Sequence, residues 1–210
     1  MHRRLLTLAL AAAAVAAPAV AQQAQPAPAQ PAATAPAANP ATLNGRRENQ
    51  QQRIANGVQS GQLTAGETRR LESREASVNR QVRADRAANG GTLTPQERRQ
   101  VNRRQNNISR SIYNDKHNAA QAHYGDNQVG QRRENQQDRI ANGIRSGSMT
   151  AGEAARAENR QQSINRQVGA DRAANGGTLT PQERQQINHR QNNASRQIYR
   201  EKHNAATGPR

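Results

Sequence analysis

The sequence predicts an all-α protein built from two tandem three-helix repeats, and three observations predict it. Residues 46–120 and 132–206 align without a gap at an offset of 86, and 55 of the 75 positions are identical. Within each copy a G-x-L-T-x-x-E stretch, with Met149 for Leu in one of the four, twice opens a run of helix-compatible residues. Between those openings the apolar residues fall at +7 and then +4, the spacing of a narrow helical stripe rather than of a strand.

From the N-terminus, Arg3 and Arg4 precede an apolar run from Leu5 to Ala17, and Ala19-Val20-Ala21 forms a small-x-small site. These features predict a signal peptide over 1–21, cleaved after Ala21. A thirteen-residue run is too short to span a bilayer, which needs about 20 residues. A periplasmic or secreted protein is therefore expected. Residues 22–45 are Ala-, Pro- and Gln-rich, with Pro at 26, 28, 31, 36 and 40. Proline at that density blocks helix and favours extended conformers, so this stretch reads as a disordered spacer.

The first copy spans 46–120, with helices expected at about 46–57, 65–88 and 95–118. Thr64 with Glu67, and Thr94 with Glu97, have the spacing of capping boxes, in which Thr caps the helix and Glu reaches back to the cap amide. Pro95 then sits in the first helical position, where its missing N–H costs nothing. Gly57, Gly61, Gly90 and Gly91 read as helix stops. Leu71, Val78 and Val82 form one apolar stripe, and Val101, Ile108 and Ile112 the next. An antiparallel hairpin places Val82 level with Val101, and Leu71 level with Ile108 and Ile112.

A linker is expected at 121–131, then the second copy at 132–206 with helices at about 132–143, 151–174 and 181–204, and a tail at 207–210. In the second copy Leu71 is replaced by Ala157 and Ile108 by Ala194, so both sides of one layer shrink together. Large apolar side chains are sparse, and packing of the copies on one another, or homodimerisation, is expected to supply the rest of the core.

Composition limits the function classes. The chain has no Cys, hence no disulfide and no thiolate metal site. No Ser–His–Asp order, phosphate loop or paired-carboxylate constellation is present, so neither an enzyme nor a cofactor is expected. Charge is the outstanding property. There are 31 Lys and Arg against 15 Asp and Glu, a net +16, and loss of Arg3 and Arg4 with the leader still leaves +14. Only Lys116 and Lys202 are lysines, so the charge is carried by guanidinium, which suits phosphate and carboxylate. Arg98, Arg99, Arg103 and Arg104 on one expected helix, with Arg69, Arg70 and Arg74 on its neighbour, are the candidate anion-binding residues. With only three Tyr and an exported destination, nucleic acid is not the expected partner. An anionic envelope polymer or an unfolded protein is. His117 and His203 each follow Lys near a helix end, where positive charge suits the helix dipole.

Three resemblances bear on function. The stretch G-x-L-T-x-x-E resembles the second half of an EF-hand calcium loop. That resemblance implies Asn56, Ser60, Thr64 and Glu67 as ligands, with Asn142, Ser146, Thr150 and Glu153 in the second copy. Position 3 of each loop is Val58 or Ile144, however, and each loop holds one carboxylate, so helix capping is the better account of Thr and Glu. The stretches from Leu93 to Gln100 and from Leu179 to Gln186 are similar to the L-T-x-x-Q motif of small exported chaperones, with Glu97 and Glu183 in place of the motif's Gln. That family implies an all-helical, basic, periplasmic protein that binds unfolded clients. The whole pattern, including the closing I-Y-x-x-K-H, resembles uncharacterised exported bacterial proteins. Together these yield an exported, non-catalytic helical binding protein engaging anionic surfaces or unfolded clients, with a degenerate EF-hand-like calcium binder as the alternative.

Overall fold

Six helices and no strand make up residues 42–206, the part that the computed structural model describes. They are α1 (Leu43–Gln59), α2 (Ala65–Ala88), α3 (Pro95–Lys116), α4 (Gln128–Ser146), α5 (Ala151–Ala174) and α6 (Pro181–Lys202). The expected leader, most of the expected spacer and the tail lie outside the described residues.

Local chemistry sets the helix starts. Thr64, Thr94, Thr150 and Thr180 each cap a helix, and the glutamate three residues on closes the box in all four cases. The expected bounds of α2 and α5 are met, while α3 and α6 stop two residues early, at Lys116 and Lys202. The first helix of each copy is longer than expected. Thr42 accepts from the Gly45 amide at 2.9 Å, starting α1 inside the expected spacer. Asn127 accepts from the Gly130 amide at 3.0 Å, starting α4 inside the expected linker. The reading of Gly57 as a stop is also corrected. Gly57 and its equivalent Gly143 lie within α1 and α4, and the chain turns at Gly61 and Gly147, where φ is +71° and +69°.

Packing joins the copies rather than separating them. α1 lies against α4 and α2 against α5, each helix meeting its own equivalent as in an isologous dimer. α3 and α6 flank this four-helix centre, α3 on α1 and α2, α6 on α4 and α5. One apolar cluster runs through both copies, from Ile54, Leu71 and Ile112 to Ile140, Ala157 and Ile198. A second is confined to the far side of the second copy: Val129, Ile164, Val168, Ile187 and Ala194, with Leu179 packed against it. Ala157 and Ala194 therefore fall in different clusters, whereas their equivalents Leu71 and Ile108 share the first.

The interior is more polar than the stripes suggest. Buried Gln50 on α1 donates to the Gln105 carbonyl (2.6 Å) and to Ser109 Oγ (2.8 Å) on α3, and Gln105 donates back to the Leu43 carbonyl at 2.9 Å. Gln136 and Gln191 repeat the clamp between α4 and α6, at 2.7 Å to the Gln191 carbonyl and 2.9 Å to the Val129 carbonyl. These amides tie the helices through their NH2 groups, while the Oε1 atoms of Gln50, Gln105 and Gln191 are buried without a hydrogen-bond partner.

Candidate functional site

The anion-binding residues expected in the first copy do not form one site. Arg74 donates to Ser111 Oγ at 2.6 Å, and Arg104 donates to Ser77 Oγ at 2.8 Å and to Gln81. Both therefore clasp α2 to α3. Arg69 is half-buried, with its Nε sealed from solvent. Arg70 is exposed and, with Arg74, pulls against the burial that raises the Asp115 carboxyl. Arg99 and Arg103 point into solvent. Arg98 joins Arg46 and Arg86 around a cleft of about 350 Å³ at the start of α1.

The residues of the EF-hand-like reading are committed elsewhere. One carboxylate oxygen of Glu67 accepts from the Thr64 amide (2.9 Å) and hydroxyl (2.7 Å), and the other accepts from Asn118 at 2.8 Å. Glu153 is held alike by Thr150 and Asn204. The Arg145 guanidinium lies on Asn56 (3.0 Å) and Asn142 (3.2 Å), placing a cation where a calcium ion would need free oxygens. Ser60 turns to the Gly57 carbonyl and Gln62, and Ser146 to Ser148. Among the described residues no group of three or more His, Cys, Asp or Glu is placed to hold a metal ion.

A larger groove, of about 480 Å³, opens between α5 and α6. Arg160, Arg190, Arg196 and Arg200 surround it, and Ile164 and Ala194 lie within its wall. Volumes of this order suit small-molecule ligands. The guanidiniums are lightly engaged. Arg190 donates to Ser163 Oγ at 2.8 Å, Arg196 to Asn193, and Arg160 meets Glu201 at 3.2 Å. Arg200 has no side-chain hydrogen bond. Glu201, also 3.8 Å from Arg156, is the one carboxylate paired with these arginines. No arginine of this groove was among the expected site residues. The available signal was Ala194 standing where the first copy has Ile108.

A different electrostatic feature lies at the centre. Glu72 and Glu75 on α2 and Glu158 on α5 are fully buried. Burial pushes the Glu158 carboxyl up to about 8, against a hydrogen bond from Gln137. It pushes Glu75 up to about 7, against the field of Arg47. Glu72 is raised well above the carboxylate range by burial, then by Glu75 and Glu158. Gln51 donates to Glu72 at 3.2 Å and Gln137 to Glu158 at 2.9 Å. Neither oxygen of Glu75 has a partner, nor has the Oε1 of Gln50. In the second copy Gln161 replaces Glu75 and donates to Gln136 Oε1 at 3.1 Å.

No family model matches the chain, and neither a curated protein nor a solved structure resembles it.

Proposed function

We propose that this is an exported, non-catalytic binding protein whose arginine-lined helical surfaces engage anionic polymers of the cell envelope. The observation that carries the reading is the convergence of four guanidiniums on the α5–α6 groove against one paired carboxylate. Guanidinium forks bind phosphate, sulfate and carboxylate groups through charge-assisted hydrogen bonds. The leader-like first 21 residues support export, and no described helix is long and apolar enough to cross a membrane. The anionic partner is favoured over an unfolded client because Tyr113 and Tyr199 are the only large apolar side chains exposed among the described residues. A client surface needs a broader apolar patch. The most strongly raised carboxyls, Glu72, Glu75 and Glu158, which elsewhere would suggest acid–base chemistry, are sealed inside the helix assembly and out of reach of a substrate.

The test is retention of the full chain on heparin across a salt series, with lipopolysaccharide as a second anionic ligand. Binding that weakens steadily as salt rises is expected, because ion-pair contacts are screened. Absence of binding at low salt, or binding indifferent to salt, removes the proposal.

A further inference from the structure

The two copies provide an internal control for the groove. In the first copy Ile108 is buried at the position of Ala194, and Arg104 spends donors on both Ser77 and Gln81. In the second copy Gln167 turns away to Asp171 at 2.7 Å, which leaves Arg190 with Ser163 alone. Ser111, which holds Arg74, is replaced by Gln197, and Arg160 turns to Glu201 instead. Asn114 is replaced by Arg200, which adds a charge at the groove's edge. Three of these differences act together: the change from Ile108 to Ala194 withdraws apolar volume, the turning away of Gln167 releases a donor of Arg190, and Arg200 adds a positive charge. Arg160 stays tied, now to a carboxylate.

Spacing limits what could fill the space. Arg190 and Arg200 are ten residues apart on α6, which at 1.5 Å per residue is about 15 Å of helix. A single phosphate is too small to engage both, while two anionic groups on one short body can.

We propose that the α5–α6 groove is a specific site for a bisphosphorylated saccharide, either free or as the headgroup of a glycolipid, and that the matching face of the first copy is not. The proposal rests on the anion-binding reading above and narrows it to one place and one ligand chemistry.

Titration calorimetry of the full chain with fructose 1,6-bisphosphate, at constant ionic strength, is the test. One saturable site is expected. Ala194→Ile restores the packing of the first copy without changing charge, and should weaken bisphosphate binding by about tenfold or more. Arg200→Asn should weaken it by about tenfold through loss of a charge-assisted contact. The double variant Ile108→Ala with Asn114→Arg should gain a second site. Circular dichroism melting separates lost binding from lost folding, since Ala194→Ile is expected to melt no lower than the parent. Sedimentation with phosphatidylcholine vesicles, with and without lipid A, distinguishes the sources. Capture that fructose 1,6-bisphosphate competes away assigns the glycolipid headgroup, whereas binding in solution without capture assigns the free sugar. Bisphosphate binding that survives Ala194→Ile overturns the groove. So does heparin binding with no saturable bisphosphate site, which leaves the broader reading standing. Failure of heparin binding as well overturns both.

Discussion

The copies share 55 of 75 residues and the same three helices each, yet they use two positions in opposite ways. At the inner position the first copy has Glu75 and the second Gln161. The second copy closes a hydrogen bond there, and the first leaves a carboxyl facing the centre without a donor. At the outer position the first copy has Ile108 and the second Ala194, which borders the 480 Å³ groove between α5 and α6. A duplicated fold tolerates this division because each copy braces the other through α1–α4 and α2–α5. One copy can carry an awkward buried acid, and the other can give up core volume to a surface groove.

The largest expected effect tests the inner position. Glu72, Glu75 and Glu158 have folded-state pKa values raised above the unfolded value near 4.5, with Glu75 at about 7 and Glu158 at about 8. Between those values the folded state holds protons that the unfolded chain has released. Stability therefore falls as pH rises from about 4.5 through 8. The lowered carboxyls of Glu97, Glu153 and Glu183, held by their capping bonds, act oppositely, and their contribution is lost as pH falls below about 4.5. Denaturant melts should accordingly show greatest stability near pH 5 and a loss of several kcal/mol by pH 8. Glu75→Gln supplies the donor that Gln161 supplies in the second copy. It should match the parent at pH 5 and exceed it by on the order of 3 kcal/mol at pH 8. Gln161→Glu should steepen the pH dependence. A flat stability profile from pH 5 to 8 refutes this account of the centre.

The outer position comes next. Ile108→Ala empties a buried site and should cost about 3 kcal/mol in urea-induced unfolding. The reverse change, Ala194→Ile, starts from a side chain that is also buried but borders the groove, which leaves room for the added carbons, and should gain on the order of 1 kcal/mol. Equal losses from the two changes would mean that the groove is not spare volume and that the copies pack alike.

What the sequence reveals divides along the same line between local and distant chemistry. The four capping boxes are legible because Thr64 and Glu67, and their three equivalents, bond within one turn. The starts at Thr42 and Asn127 are less legible, since no glutamate follows to complete a box, and α1 and α4 consequently begin earlier than the pattern suggests. The glutamine clamps are hidden because Gln50 meets its partners fifty-five and fifty-nine residues away, and an isolated Gln reads as surface. The arginines pose the converse problem. A guanidinium that ties two helices together, such as Arg104, and one that borders an open groove, such as Arg200, look alike in one dimension. The identity of the residue across the hairpin separates them. Ala194 was visible as a lost side chain, but the groove it leaves becomes visible only when α5 and α6 are set side by side.

The smallest effect separates the copies at a glycine. A Cβ on Gly57 would lie 2.7 Å from both Cγ and Cδ1 of Leu63, and one on Gly143 would lie 2.6 Å from Sδ and 2.7 Å from Cγ of Met149. The two turns are otherwise alike, with Leu63 donating to the Gly57 carbonyl at 2.9 Å and Met149 to the Gly143 carbonyl at 3.0 Å. The difference is the intruding side chain. Leu63 is branched at the contact and fully buried, so it must move as a unit against a packed core. Met149 is as deeply buried, but it is unbranched and flexible, so its thioether can repack within the core. Gly57→Ala should therefore cost about 2 kcal/mol through overpacking. Gly143→Ala should be nearly neutral, because the helix propensity gained over glycine, about 1 kcal/mol, offsets a smaller strain. Thermal melts of the two single variants measure the difference directly. If Gly143→Ala proves as damaging as Gly57→Ala, the backbone rather than the facing side chain sets the limit. In that case Leu63→Met in the Gly57→Ala background should fail to restore stability, whereas the side-chain account requires that it does.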